Sequence, residues 1–349
     1  LRMEIAESLS GLGNRKYRKY LRSGAAADAE KEGSVKMWAL DALLQMDEEK
    51  AFPILKKIIK ENIDVRMREK ALFIISQHDH KEVVPVLINV AKNDASRKVR
   101  EKAIFWLGQM NSSESSKAII NMYDNEKDYE LKKKLIFSIS QNDSKASVNK
   151  LVSIAKNEKN YELKKSAAFW VGQIDEEDTS ELLFDIYKNS SDSKFRKDLV
   201  FSISQGDYDN AVKKLVYISQ NDKDPEVRGN AIFWIGQHDS ATSVKYLLDI
   251  YKKETDQKLK EKILFSIGQS DSNKSAASLI DIYKKEKIRE LKEKIIFSLS
   301  QNDTKKAMKF IAYLAKNEKD PGLRKKAIFW LGQSDSDEAV DILKDIINE

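Results

Sequence analysis

The sequence predicts an all-α chain, an α-solenoid (α-α superhelix) of about eleven 32-residue helical-hairpin repeats. Three observations predict it. One residue pattern returns at a fixed interval along the chain, each copy of it holds two amphipathic helical patterns, and turn formers are scarce, with 4 Pro and 12 Gly in 349 residues. So few Pro and Gly argue against a β-rich chain full of tight turns.

A glutamine marks the interval. Gln45, Gln77, Gln109, Gln141, Gln173, Gln205, Gln237, Gln269, Gln301 and Gln333 stand 32 residues apart without a gap. Four residues before nine of them is a phenylalanine: Phe73, Phe105, Phe137, Phe169, Phe201, Phe233, Phe265, Phe297 and Phe329. Nine residues before each Gln is a basic residue, from Lys36, Arg68 and Arg100 through to Arg324, and two after each is Asp, except at Asn111. Self-similarity at such a period is the mark of a repeat architecture.

Within a repeat, Val99, Ala103 and Leu107 recur every four residues with Ile104 beside them, an apolar face of helical period. The Asp two past the Gln stands where the N-cap of the next helix is expected, as Asp143 does before 146–156. Val148, Leu151, Ile154 and Ala155 then form a second apolar face, and a polar connector at 157–160 leads back to the first pattern. Neither helix, about 11 residues long, is stable alone in water; stacked pairs are, which is the logic of a solenoid.

The expected organisation is a single repeat domain over 1–349, with an irregular first unit carrying an insertion over 1–34 and regular repeats over 35–349. Leu1-Arg2 through Leu9-Ser10 align with Val99-Arg100 through Leu107-Gly108, so the sequence starts on a second helix and ends on a first one, 341–347. That reads as a fragment cut mid-repeat. The alternative is that Tyr17 to Leu21 and the last helix act as degenerate caps.

Composition narrows the function classes. With 41% apolar residues the chain folds, and no apolar stretch approaches the roughly 18 residues that span a bilayer. Zero Cys excludes a disulfide framework, a Cys-ligated zinc site and a thiol nucleophile, and three His (His78, His80, His238) leave little for a metal centre. No GxGxxG, P-loop, HExxH or GxSxG motif occurs. Scattered carboxylates in a 34% charged chain read as solvated charge, not as a paired acid and base, so no enzyme activity and no cofactor are expected. Absent Cys is compatible with a periplasmic or secreted protein and equally with a cytoplasmic one. The Lys- and Asn-rich usage reads as bacterial.

The motif V-R-x-x-A-x-x-x-L-G, present as Val99-Arg100 through Leu107-Gly108 and in similar form as Val227-Arg228 through Ile235-Gly236, resembles HEAT repeats, in particular the short HEAT-like type of phycobilisome lyases. Similar versions cover essentially the whole chain. The resemblance implies a right-handed superhelix whose second helices line a concave surface, with a small or polar residue where this chain has Phe. Deoxyhypusine hydroxylases, one enzyme class of this type, bind iron through His-Glu pairs; here the three His are followed by Asp79, Lys81 and Asp239. Nothing beyond the shared repeat points to lyase activity.

On a helical wheel at 100° per residue, Phe105 points away from the Val99/Ala103/Leu107 face, with Glu101, Lys102 and Gln109 beside it. The nine Phe, edged by Gln109, Gln141, Gln173, Gln205, Gln237, Gln269 and Gln301, therefore form the candidate ligand-binding surface of a protein- or peptide-binding scaffold. Rings would take side chains and amides would hold a backbone, in the manner of the armadillo Trp and Asn ladders. The structural reading is that each Phe packs on its neighbours and on the small residue three further on, while the glutamines bridge adjacent repeats.

Charge favours acidic or mixed-charge peptides. Before the core Ala, Lys70, Lys102, Lys134, Lys262, Lys294 and Lys326 stand against Asp198 alone, nearly accounting for the net charge of +6. Trp106, Trp170, Trp234 and Trp330 alternate with Ser138, Ser202, Ser266 and Ser298, the last two adjacent; Tyr123, Tyr187 and Tyr251 follow the Trp repeats. That alternation reads as packing between layers, the other reading being contact with a ligand. The recurring basic residue and Asp are expected to form an ionic ladder. The alternative partner is nucleic acid, met by the basic patch Arg15, Lys16, Tyr17, Arg18, Lys19, Tyr20 and Arg22.

Overall fold

The computed structural model describes residues 29–348, apart from 143, 175–178, 239–240, 271 and 335–336. Among the described residues it holds twenty helices and no strand. In chain order these are α1 (Ala29–Leu43), α2 (Glu48–Glu61), α3 (Val65–Ser76), α4 (Val83–Asn93), α5 (Arg97–Gln109), α6 (Ser113–Asn125), α7 (Tyr129–Ser140), α8 (Lys145–Asn157), α9 (Tyr161–Gly172) and α10 (Thr179–Lys188). There follow α11 (Ser193–Ser204), α12 (Tyr208–Asn221), α13 (Pro225–Gln237), α14 (Ala241–Lys253), α15 (Gln257–Gly268), α16 (Asn273–Lys285), α17 (Arg289–Ser300), α18 (Lys305–Asn317), α19 (Pro321–Gly332) and α20 (Asp337–Asn348). The chain divides into two compact units, Leu1–Ser153 and Ile154–Glu349. Each is a run of helical hairpins of solenoid type, even-numbered first helices in one layer and odd-numbered second helices in the other.

Local chemistry sets where each helix starts. Most second helices open on an aspartate or asparagine whose side chain accepts from the first exposed backbone N–H groups, as Asp128 does from Leu131 (3.0 Å) and Asp320 from Gly322 and Leu323 (2.8 and 3.0 Å); α5 and α17 open on Ser96 and Ile288 without such a bond. Pro225 and Pro321 sit in the first turn, where the missing N–H costs nothing. The Gln at the far end lies just past most of these helices in an α-region C-cap.

The first helices depart from expectation. Of the Asp two past each Gln, Asp207 caps its helix with its side chain, while Asp47 precedes its helix without such a bond. Ser112, Ser272 and Thr304, one residue further on, cap α6, α16 and α18. A hydroxyl reaches the N–H three residues on at about 3.0–3.3 Å, so the Asp drops out of the cap. Asp143 lies outside the described residues.

The core follows the wheel. Val99, Ala103, Ile104 and Leu107 are buried, as are Val148, Leu151, Ile154 and Ala155. Second helices approach most closely where a repeat ends in Gly-Gln. A Cβ on Gly108 would stand 2.8 Å from Ser138 Cα, and one on Gly236 would stand 2.6 Å from Ser266 Cβ. Only glycine facing serine allows such an approach. Where the repeat ends in Ser-Gln, the next one carries Trp, and the backbones of α3 and α5, α11 and α13, and α17 and α19 stand further apart.

A polar clamp joins successive hairpins at the opposite end. Arg196 holds Asp222 through two bonds (2.8 and 3.1 Å), and the Tyr187 hydroxyl donates to the same carboxylate at 2.5 Å. Arg68 grips Asp94 likewise, at 2.9 Å twice. The basic residue thus pairs with the acid 26 residues on, at the end of the next first helix, and not with the Asp after the Gln, which the turn carries elsewhere. Burial would raise the Asp222 pKa; hydrogen bonds from Arg196 and Tyr187 outweigh it and hold the carboxyl below its ordinary value. Burial and the same carboxylate push the Tyr187 phenol up. At Lys260 and Lys292, which stand in the Arg position, tyrosine makes the bond: Tyr251 donates to Glu286 (2.7 Å) and Tyr283 to Glu318 (2.6 Å), with the lysines over the rings at 5.3 and 4.9 Å.

Candidate binding surface

None of the nine phenylalanines enters the core: seven are half-buried, while Phe233 and Phe329 are 39% and 54% exposed. The wheel places them opposite Val99, Ala103 and Leu107, and their neighbours on that face are polar. Within each unit they meet one another and the Trp residues. In the first unit Phe105 stacks on Phe137 with ring centroids 6.2 Å apart and planes 7° off parallel. Phe73 leans on Trp106 at 5.6 Å, and Phe105 meets the same indole edge-on at 4.9 Å.

The second unit repeats this order twice. Phe169 stacks on Phe201 (6.0 Å), which leans on Trp234 (5.2 Å), itself met edge-on by Phe233 (5.1 Å). Three repeats later Phe265 stacks on Phe297 (6.1 Å), which leans on Trp330 (5.3 Å), met by Phe329 (5.0 Å). Offset or edge-on pairs of this kind add about 0.5–1.5 kcal/mol beyond burial. The close Gly-Ser interfaces carry the parallel Phe stacks; the wider Ser-Trp interfaces carry the Phe-Trp-Phe triads.

The tryptophans pack on the Phe of the preceding repeat, half-buried, and so extend the aromatic row across each Ser-Trp interface. The tyrosines that follow them behave oppositely: Tyr123 and Tyr187 are buried and Tyr251 half-buried, and Tyr187 and Tyr251 donate to the carboxylates of the clamps. Sequence reasoning treated the two residue types alike and missed the tyrosine-carboxylate bonds, although the acids at Asp222, Glu254, Glu286 and Glu318 recur at the 32-residue interval.

Every marker glutamine from Gln45 to Gln333 is exposed. Their amides do not bridge adjacent repeats where a serine precedes them. Gln77, Gln141, Gln205 and Gln301 each donate to the preceding Ser hydroxyl (3.1–3.3 Å), which donates in turn to the carbonyl of the repeat's own Phe, at 2.7 Å from Ser140. The amide nitrogen is thereby tied to the turn that carries the Phe carbonyl.

Lysines edge the row. Lys294 lies 5.3 Å from the Phe265 ring centre and 4.8 Å from that of Phe297, and Lys70 lies 5.3 Å from Phe73. Asp198, the one acid at this helical position, accepts from the Tyr161 hydroxyl and pairs with Lys165 at 3.0 Å. Among the described residues, Lys102, Lys134, Lys262, Lys294 and Lys325 have no carboxylate within 4.0 Å. The basic patch Arg15 to Arg22 lies outside the described residues.

Among the described residues, no group of three or more His, Asp or Glu is placed to hold a metal ion, and no helix is long and apolar enough to cross a membrane. Burial holds the His238 imidazole below its ordinary pKa against a hydrogen bond with the Ser204 backbone. An open cleft of about 360 Å³ lies between α2 and α4, lined by Ile59, Pro85 and Val86 and crossed by the Lys56–Glu82 pair.

A family model described as HEAT repeats matches residues 84–169 and 212–300. No curated protein matches the chain by sequence. Among solved structures, Kap121p bound to Pho4p is similar at a TM-score of 0.51 and 11% identity, over 88% of this chain and 40% of that one. The CpcE–CpcF complex of phycocyanin lyase from Nostoc sp. is similar at a TM-score of 0.35 and 12% identity, over 70% and 94%. Human deoxyhypusine hydroxylase in complex with glycerol gives 0.31 and 14%, over 77% and 98%. At such identities the likeness is one of fold.

Proposed function

This chain belongs to the HEAT-repeat family, and from that premise we propose that it is a non-catalytic scaffold or adaptor that binds a protein or extended peptide along the Phe/Gln face of its second helices. One observation carries the reading: the Phe-Trp row stays at the surface, half-buried or exposed, in both units although it is apolar. A contiguous exposed apolar patch on a folded protein marks an interaction site more often than idle surface. The exposed Gln side chains at its edge carry amide oxygens that can accept from a peptide backbone. The like-folded Kap121p is itself bound to a protein, Pho4p.

The strongest carboxylate pairings, at Asp94 and Asp222, are spent joining hairpins.

The test is a pull-down from cell extract with the native chain and with Phe137→Glu/Phe201→Glu/Phe265→Glu, both shown to have equal helicity and melting. The triple variant is expected to stay folded and lose the main partner. Retention of that partner by a folded variant would falsify the proposal.

A further inference from the structure

Resting on that reading of the Phe/Gln face, we infer that the second unit takes an extended acidic peptide with two bulky apolar side chains about eight residues apart. The triads Phe201–Trp234–Phe233 and Phe297–Trp330–Phe329 have the same ring order and the two most exposed phenylalanines of the row. They sit at the Ser-Trp interfaces, where an exposed Phe stands beside a half-buried indole; at the Gly-Ser interfaces a side chain on the glycine would run into the serine of the next second helix.

The triads are 96 residues, or three repeats, apart. Packed helices lie about 8–10 Å apart, which separates the triads by roughly 24–30 Å. Extended chain rises about 3.3 Å per residue, so eight or nine residues cover that distance.

The charge between the anchors selects the sign of the ligand. Lys262 and Lys294 stand on α15 and α17 between the triads, and neither has a carboxylate within 4.0 Å among the described residues. Gly229 leaves the room: a Cβ there would stand 2.6 Å from Lys262 Nζ. Glu261, Glu290 and Glu293 share these helices, and Glu293 already faces Arg289 at 3.7 Å and Lys326 at 4.0 Å. Such interleaved acids suit discrete carboxylates on a peptide better than the continuous phosphates of a single-stranded nucleic acid.

The test uses the full chain and fluorescein-labelled 18-residue peptides of Asp, Glu, Gly and Ser carrying two Phe separated by three, eight or fourteen residues. A peptide with Lys in place of the acids and an 18-nucleotide oligothymidine complete the set, read by fluorescence anisotropy. The acidic peptide with eight-residue spacing is expected to bind at least about tenfold more tightly than the other spacings and the Lys peptide. Phe233→Ala/Phe329→Ala and Lys262→Glu/Lys294→Glu, checked for native helicity, should each weaken it about tenfold or more, the latter less so at high salt.

Equal binding of the Lys peptide, no effect of the lysine reversal, or indifference to spacing overturns the inference; if the Phe variant still loses the peptide, the reading of the face stands. No effect of either variant, or binding of the oligothymidine alone, overturns both.

Discussion

Gly268 lies against Ser298: a Cβ on the glycine would stand 2.7 Å from the serine carbonyl oxygen and 2.8 Å from its Cβ. Because backbone is on the receiving side, a side chain at Gly268 must push two helices apart. Gly268→Ala is expected to destabilise the protein by roughly 1–3 kcal/mol, read from urea unfolding. Gly332 is the control, since among the described residues a Cβ there meets only Leu343 at 3.9 Å. Gly332→Ala should be neutral or stabilising by up to about 1 kcal/mol through helix propensity. Equal losses at both sites would mean that close approach is not what the glycine provides.

Removing the acid from a clamp should cost far more than a surface ion pair. Asp222→Asn leaves Arg196 buried beside a neutral amide, and a loss of about 3–5 kcal/mol is expected. A change under about 1 kcal/mol would place the pair among ordinary surface bridges.

The same clamp makes stability depend on pH. The Asp222 pKa is lowered in the folded chain, so its contribution is present above the ordinary carboxylate value of 3.8 and is lost as pH falls through the folded value. The Tyr187 phenol is raised above 10.0, so its contribution is present below that and declines as pH rises beyond it. Thermal melts of the native chain should therefore fall at both extremes, and Asp222→Asn should flatten the acid limb. An unchanged acid limb in the variant contradicts the assignment.

The stacked rings should be energetically coupled. A double-mutant cycle on Phe265→Ala and Phe297→Ala is expected to return about 0.5–1.5 kcal/mol of interaction energy. Additive single effects would mean that each ring acts alone on its own helix.

Capping separates the two kinds of Asp. Asp320→Ala removes an acceptor of two backbone N–H groups and should cost about 1 kcal/mol, whereas Asp47→Ala, which makes no such bond, should cost only tenths.

The helical period and the 32-residue interval were legible because burial imposes them at every copy: Val99, Ala103 and Leu107 recur, and so does their core. The outward face of the Phe was legible for the same reason, since a wheel needs only the backbone geometry. What lay beyond the sequence was pairing at a distance. Ser112 and Asn111 compete for one cap, and only their placement shows the hydroxyl in it. The partner of Arg196 is 26 residues away across a turn, where several acids are equally near in sequence. Trp234 and Tyr187 are both large aromatics with one polar atom, yet one sits half-buried in the ring row and the other in a clamp, where its phenol meets Asp222.

The Gly-Ser and Ser-Trp interfaces also restrict how such an array can evolve. Every repeat from 76 onward that ends in Gly-Gln is followed by one with Ser at the contact position, up to the terminal repeat, and every one that ends in Ser-Gln is followed by Trp. Recombination that copies a block leaves the chain foldable only when the new seam obeys that pairing. A single Trp repeat inserted after another Trp repeat would set an indole against a glycine backbone. The Ser266-to-Gly268 repeat has Ser at its front and Gly at its back, so it fits after a glycine and before a serine. It acts as an adaptor that lets the array gain or lose one repeat without breaking the rule.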